Sequence, residues 1–344
     1  STYAYTIPHC PPCLLVLLTI KNRNGIIEKR NFIPFIGSSG YMKKRIFCMS
    51  ATLLVMLLLT VSLFGIFRLR EYGTIHSLLR RYDLSVKAKT SPVLTVGSRK
   101  DFSTLQSAVD AAENGSVIIV FSGTYEESVQ AIDKTLYILG QDRKACVLTF
   151  PNSDYSSPPL EMGSGMLANM TVHATHGELA EDAVAQAYAL HIDFDISKNS
   201  TLDVLDVDFI NDSYQAVGVG LRDHFTLRFR NCLFQCNRNR NAFYCHDDPT
   251  ANDSVEQNLV VEYCRFVNAS TTSSTIYLQS QEAPNSQIRC LWKYNTVENK
   301  AGGKRFDILF WNDKTSDISG WQNMSFWKNS PGSHSNDLEL LNEP

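Results

Sequence analysis

The chain has 344 residues, 44% of them apolar, and a formal net charge of −3. That is enough apolar material for one large domain with an appendage, and the acidic balance gives no electrostatic footprint for nucleic acid. Nine cysteines, an odd number with no compact spacing among the six beyond residue 67, do not settle the redox compartment.

In chain order, residues 1–41 read as leader or a mis-called start, because the first Met is Met42. Within them Cys10-Pro-Pro-Cys13 has redox-motif spacing but no strand–helix context. Ile46–Phe67 is a run of 22 uncharged, mostly apolar positions between Lys43-Lys44-Arg45 and Arg68. At ~1.5 Å per residue such a helix spans a bilayer core. No small-x-small cleavage site precedes Arg68, so 46–67 is expected to be an uncleaved transmembrane signal anchor. Basic residues on its N-terminal side favour an exported C-terminal body. Residues 71–92 are expected to be a linker, 93–328 the main domain and 329–344 a polar tail.

The main domain opens with Asp101-Phe-Ser-Thr-Leu-Gln-Ser-Ala-Val-Asp-Ala-Ala112, whose apolar positions recur at helical spacing, with Ser103 or Asp101 as cap. Asn114-Gly115 stops that helix, and Ser116–Phe121 reads as a buried strand. Beyond it a pattern repeats. In LRFRNCLF, Leu227 and Phe229 alternate, then the beat slips by one to Cys232 and Phe234. The same offsets of 0, 2, 5 and 7 give rows starting at Gly165, Leu202, Leu259, Cys290 and Ser319. Successive rows end 37, 25, 32, 31 and 29 residues apart.

A fixed unit at irregular spacing predicts a solenoid with loops of varying length. The slip marks a corner between two short strands that both point inward. Asn169, Asn231, Tyr263, Tyr294 and Asn323 fall at such corners, and Asn tolerates left-handed backbone. The competing β-sandwich predicts hairpin turns every 8–12 residues instead. The expected fold is all-β, a single-stranded parallel β-helix with the 101–112 helix covering its first coil and the anchor helix before it. Cys232 and Cys264, at equivalent inward positions, read as stacked core thiols.

Several strings carry a family resemblance. Thr95-Val-Gly97, Asp101-Phe-Ser-Thr-Leu-Gln106, Ser122-Gly-Thr-Tyr-Glu-Glu127, Leu136-Tyr-Ile-Leu-Gly140, Asn169-Met-Thr-Val172, Gln186-Ala-Tyr-Ala-Leu190 and the Cys-x-Phe elements at 232 and 264 follow one another over residues 93–270. In order and spacing they resemble the pectin methylesterases, of the pectin-lyase-like superfamily. The resemblance implies a right-handed β-helix and a chemistry of two aspartates, an arginine and two glutamines. One Asp attacks the ester carbonyl, the other protonates the leaving alcohol, the Arg holds the nucleophile, and the glutamines stabilise the oxyanion.

Carried over residue by residue, the glutamines fall on Gln186 and, within Tyr214-Gln-Ala-Val217, on Gln215. The acid's place is held by Ala216. The nucleophile's place is held by Asn241, with Asn239 as a second alignment, and the arginine's element reduces to Tyr277-Leu-Gln-Ser280. Alanine has no proton to give and an amide does not titrate, so the resemblance implies a depleted site. Gln186, Gln215, Tyr214 and Asn241 are left as substrate-binding candidates.

Other chemistry is open. His191, Asp193 and Asp195 alternate and would share one strand face, as would Asp206 and Asp208. They can serve as cation ligands, as an acid–base pair or as a solvated face. Asp247, within His246-Asp-Asp248, lies in a loop after the would-be nucleophile strand. His191, Asp193 and Asp247 are therefore the candidate substitutes for the missing carboxylates. Gly163-Ser-Gly165 lacks the spacing of a nucleophile elbow. Asn169, Asn199, Asn211 and Asn268 head glycosylation sequons, and Trp311 and Trp327 are candidate sugar platforms beside a core Trp321.

The sequence thus predicts an anchored, cell-surface or extracellular β-helix that binds a pectin-like or other acidic polysaccharide, with no metal or cofactor. The alternatives are an active carbohydrate esterase with a rearranged site and a structural solenoid that binds a protein.

Overall fold

The computed structural model describes residues 38–152, 157–176, 188–246, 255–280, 286–303, 306–310 and 323–327. The chain divides into two compact units, residues 1–66 and 67–344.

In the second unit each coil lays one strand in each of three parallel sheets. One full coil is Thr201–Leu205 in sheet A, Asp208–Asn211 in sheet B and Val217–Gly220 in sheet C. The next is Thr226–Arg230, Leu233–Cys236 and Phe243–His246. Sheet A has nine described strands, B and C seven each, and every pairing is parallel between consecutive coils. This is a single-stranded parallel β-helix. No hairpin pairing, the mark of the sandwich alternative, joins the described strands.

The slip in LRFRNCLF is the corner between sheets A and B. Leu227 and Phe229 are buried on the sheet A strand. Asn231 then turns through left-handed backbone at φ 54°, after which Cys232 and Phe234 are buried from the other side. Asn169, Asp206, Tyr263 and Tyr294 make the same turn at φ 59°, 59°, 55° and 55°. Asn and Asp accept that conformation readily, whereas for a tyrosine it costs about 1–2 kcal/mol. The inward residues align from coil to coil, as in Leu202–Leu227–Leu259 and Phe209–Phe234–Phe266–Val297. The rings of Phe234 and Phe266 stack at 4.6 Å, and Phe209, Phe225, Phe229, Phe243 and Trp292 are buried in the same core. Cys232 and Cys264 stack inside it, with the backbone N–H of Cys232 3.5 Å from the Cys264 sulfur.

Helix α2, Leu105–Ala111, buries Leu105, Ala108 and Val109 at the start of the solenoid. Its cap differs from expectation. The Thr104 hydroxyl accepts the Ser107 N–H, and the Glu127 carboxylate accepts the N–H groups of Leu105 and Gln106 at 2.6 and 2.9 Å. Asp101 instead accepts from the Thr95 backbone and hydroxyl, fixing the strand before the helix. The Gln106 side chain accepts the N–H of Gln130 and so covers the first strand of sheet C.

Three further readings are revised by register and packing. Asn323–Trp327 belongs to sheet A, with Met324 opposite Cys290 and Phe326 opposite Trp292. These two were expected at the second half of a row; a lone period-two pair fits either strand of a corner, so spacing could not choose. Residues 71–92 are not a bare connector: helix α1, Ser38–Arg81, takes up their first half and a short helical turn forms at Lys87–Lys89. Leu78, Leu79, Tyr82 and Leu84 are buried in one cluster with Val117, Ile119, Leu139, Met166 and Ala168 of sheet A. Finally, Asp206 and Asp208 do not share a strand face, because Asp206 is itself a corner and only Asp208 lies in a strand. Asp206 binds Arg81, Tyr82 and Asn231, while Asp208 pairs with Arg143. Within α1, Thr52–Arg81 is long and apolar enough to cross a membrane, and Leu53 to Leu59 are exposed.

Candidate functional site on the outer face of sheet C

The positions matched to the esterase motif come together only in part. Gln215 and Asn241 occupy the same place in successive coils, and the Gln215 Nε2 donates to the Asn241 Oδ1 at 2.8 Å. Asn241 Nδ2 donates in turn to the Ser274 carbonyl at 2.7 Å. Both amides are buried, at 7% and 8% exposure, and bond to the solenoid itself. Ala216 is fully buried in the core beside Val217 and Ala242, so it does not lie on an outer wall. The reason is local: residue 216 enters the strand Val217–Gly220 from the inside, and the outward positions of that strand are Gly218 and Gly220. Gln186 and Asp247 lie outside the described residues, as do Asp248, Trp311 and Trp321. Tyr277 points out on the strand Ile276–Ser280 and stacks on Tyr244 at 5.4 Å.

The chemistry concentrates on the outward positions of sheet C. Register places Glu161, His191, Gly218, Tyr244 and Tyr277 side by side on five successive coils. His191 Nδ1 lies 3.1 Å from Glu161 Oε1. Just past the strand Leu190–Ile192, one oxygen of Asp193 lies 2.7 Å from Arg222 Nε in an ion pair. Its other oxygen lies 3.6 Å from His246 Nε2. Asp195, expected on the same face, sits in a short helical turn instead and is 89% exposed next to Lys198.

The two glycines make this arrangement possible. A Cβ on Gly218 would lie 2.4 Å from the Tyr188 ring, and one on Gly220 only 2.3 Å from the Asp193 carboxylate. Without side chains there, Tyr188 and Asp193 lie flat across the sheet. Tyr188 stacks on His191 at 5.4 Å and meets Tyr214 edge-on at 5.6 Å. The Arg240 guanidinium lies 5.8 Å from the Tyr214 ring. Burial raises the Tyr188 phenol well above its usual range and also raises that of Tyr214, against the lowering pull of Arg240. Both therefore remain neutral hydrogen-bonding groups near neutral pH.

The sequence singled out His191, Asp193 and Tyr214 as candidates but not Glu161, Arg222 or the glycine pair that the fold places beside them. The available signal was Val217-Gly-Val-Gly220, where glycine takes each outward position and leaves room for its neighbours. The face offers two aromatic surfaces, a carboxylate held by a guanidinium, and two imidazoles. That combination suits binding of a polar ring-bearing polymer, and the Asp193–Arg222–His246 group also has the parts for proton or acyl transfer. Among the described residues, no three His, Cys, Asp or Glu side chains form a metal-holding group.

No family model matches the chain, and no curated protein matches it. Among solved structures it is similar to the pectin methylesterase of Erwinia chrysanthemi, at 15% identity over 69% of this chain and 78% of that one, TM-score 0.46. It is similar to the Yersinia enterocolitica enzyme at 11% identity over 69% and 92%, TM-score 0.41. The deglycosylated Aspergillus niger enzyme follows at 17% identity over 73% and 93%, TM-score 0.40.

Proposed function

We propose that this chain is a pectinesterase-like β-helix that binds an extended polysaccharide, pectin-like or otherwise acidic, on the outer face of sheet C. The reading rests on one observation. The Tyr188–Tyr214 and Tyr244–Tyr277 pairs, together with Glu161, His191, Asp193, Arg222 and His246, share a single face across successive coils. Coils repeat at about 4.8 Å, so the face offers a repeating polymer a row of ring platforms with polar groups between them. Loss of the family's catalytic set fits the amides at Gln215 and Asn241, which are spent on each other, and the enclosed Ala216. In this reading residues 46–67 anchor the chain and the β-helix works outside the cell. Titrating the protein with pectins of graded methyl-esterification is the test. Wild type should bind, and Tyr244→Ala with Tyr277→Ala should weaken binding at least tenfold. Equal binding by both proteins would remove the face from the proposal.

A second reading, ester hydrolysis at a rearranged site, is favoured by the 2.7 Å contact between Arg222 and Asp193. The Asp193 carboxylate, paired with Arg222, attacks an ester carbonyl, and His246 passes a proton to the departing alcohol. Water then cleaves the acyl-enzyme anhydride and restores the carboxylate. Methanol or acetate release that disappears in Asp193→Asn would establish this reading, and no release by wild type would end it.

A further inference from the structure

We propose a second binding site, for a carboxylate-bearing sugar ring, in the cleft between the end of helix α1 and the corner joining sheets A and B. The cleft holds about 490 Å³ and is lined by Arg81, Tyr82, Asp206, Arg230, Asn231 and Tyr263. It lies on a different sheet from the face proposed above and does not depend on that proposal.

Three observations carry the assignment. First, the cleft's acid is already neutralised. Asp206 accepts from Arg81 at 2.9 Å, from the Tyr82 hydroxyl at 2.7 Å and from the Asn231 amide at 2.7 Å. Second, Arg230 is exposed, forms no ion pair among the described residues, and holds its guanidinium 5.5 Å from the Tyr263 ring centre. The charge left for a ligand is thus positive and sits against an aromatic wall. Third, the wall is made of residues the backbone does not favour. Asn169, Asp206 and Asn231 serve three successive corners, whereas Tyr263 and Tyr294 take the next two in the same left-handed conformation. These two rings stack at 4.9 Å and are 49% and 41% exposed.

A guanidinium beside an exposed aromatic wall matches a ring that carries a carboxylate. The fork of Arg230 takes the carboxylate oxygens, the apolar side of the ring packs on the tyrosines, and a hydroxyl reaches Asn231. A bare oxyanion would use the arginine but not the wall. A neutral sugar would use the wall but not the arginine.

The full chain, in detergent, is titrated calorimetrically with sodium glucuronate, glucose and inorganic phosphate. Glucuronate should bind at least tenfold more tightly than either of the others. Arg230→Gln should weaken it at least tenfold. So should Tyr263→Asn, which removes the wall but installs the residue that other corners already use, so the coil keeps its turn. The proposal is overturned by no glucuronate binding to wild type, by binding unchanged in Arg230→Gln and Tyr263→Asn, or by phosphate or glucose binding as tightly as glucuronate.

Discussion

The outer faces of sheets A and C are built on the same coils and put their inward residues into one core, yet they have opposite fates. On sheet A the outward positions of the early coils are Val117, Ile119, Leu139, Met166 and Ala168, and Leu78, Leu79, Tyr82 and Leu84 cover them. On sheet C the outward positions are Glu161, His191, Gly218, Tyr244 and Tyr277, and they assemble charged and aromatic groups. A parallel β-helix is specified by its inward residues, so its outward residues are free to select a role. One face becomes a second small core under a helix. The other stays polar and becomes the candidate site.

The largest effect should come from breaking the covered face. Leu78→Asp puts a carboxylate into an apolar cluster. The expected loss is on the order of 4 kcal/mol. Urea unfolding of the full chain in detergent measures it, and Tyr244→Ala on sheet C should cost about 1 kcal/mol or less in the same assay. Equal losses would mean that the two faces contribute alike to the fold.

A smaller effect should come from filling the notch on sheet C. Gly220→Ala forces its methyl into the Asp193 carboxylate, and Gly218→Ala forces one into the Tyr188 ring. Each should cost about 1–3 kcal/mol in stability as the neighbours shift. Polysaccharide binding should fall more steeply in these two than in a variant of equal stability loss in the core, such as Ile138→Val. Parallel losses in all three would show that the notch matters only for folding.

These contrasts also show what was legible in the sequence. The inward residues repeat with period two and a one-residue slip, so Leu227, Phe229, Cys232 and Phe234 identify the coil and its corner from spacing alone. Outward residues obey no such period. Nothing in the string places Glu161 beside His191, thirty residues on, or brings Arg222 to Asp193, because the loops between coils differ in length and those contacts are set by register. Motif matching put Ala216 where an acid was expected, but motif order cannot say which residue of a strand faces in. Asp206 was misplaced for a related reason. Paired with Asp208 it imitates strand alternation, and only the turn at φ 59° separates them.

The smallest effect concerns that corner, where α1 is tied to the covered face through Asp206. Burial alone would raise the Asp206 carboxyl. The hydrogen bonds from Asn231 and Tyr82 and the guanidinium groups of Arg81 and Arg143 outweigh it and hold the carboxyl below its ordinary range. A carboxyl depressed in the folded state contributes stability that is complete above its unfolded value, about 3.9. That contribution fades as pH falls below this value and through the lower folded one. Asp206→Asn isolates it, because asparagine already serves the same turn at Asn231 and leaves the backbone unchanged. Arg81 is 55% exposed, so solvent screening limits the gap between wild type and variant to about 1 kcal/mol or less at pH 7. The gap should narrow and then close as pH falls from about 4 into the acid range below it. Thermal melts of both proteins across that range measure it. A gap that persisted through that range would mean that shape and hydrogen bonding, not charge, fasten the helix to the coil.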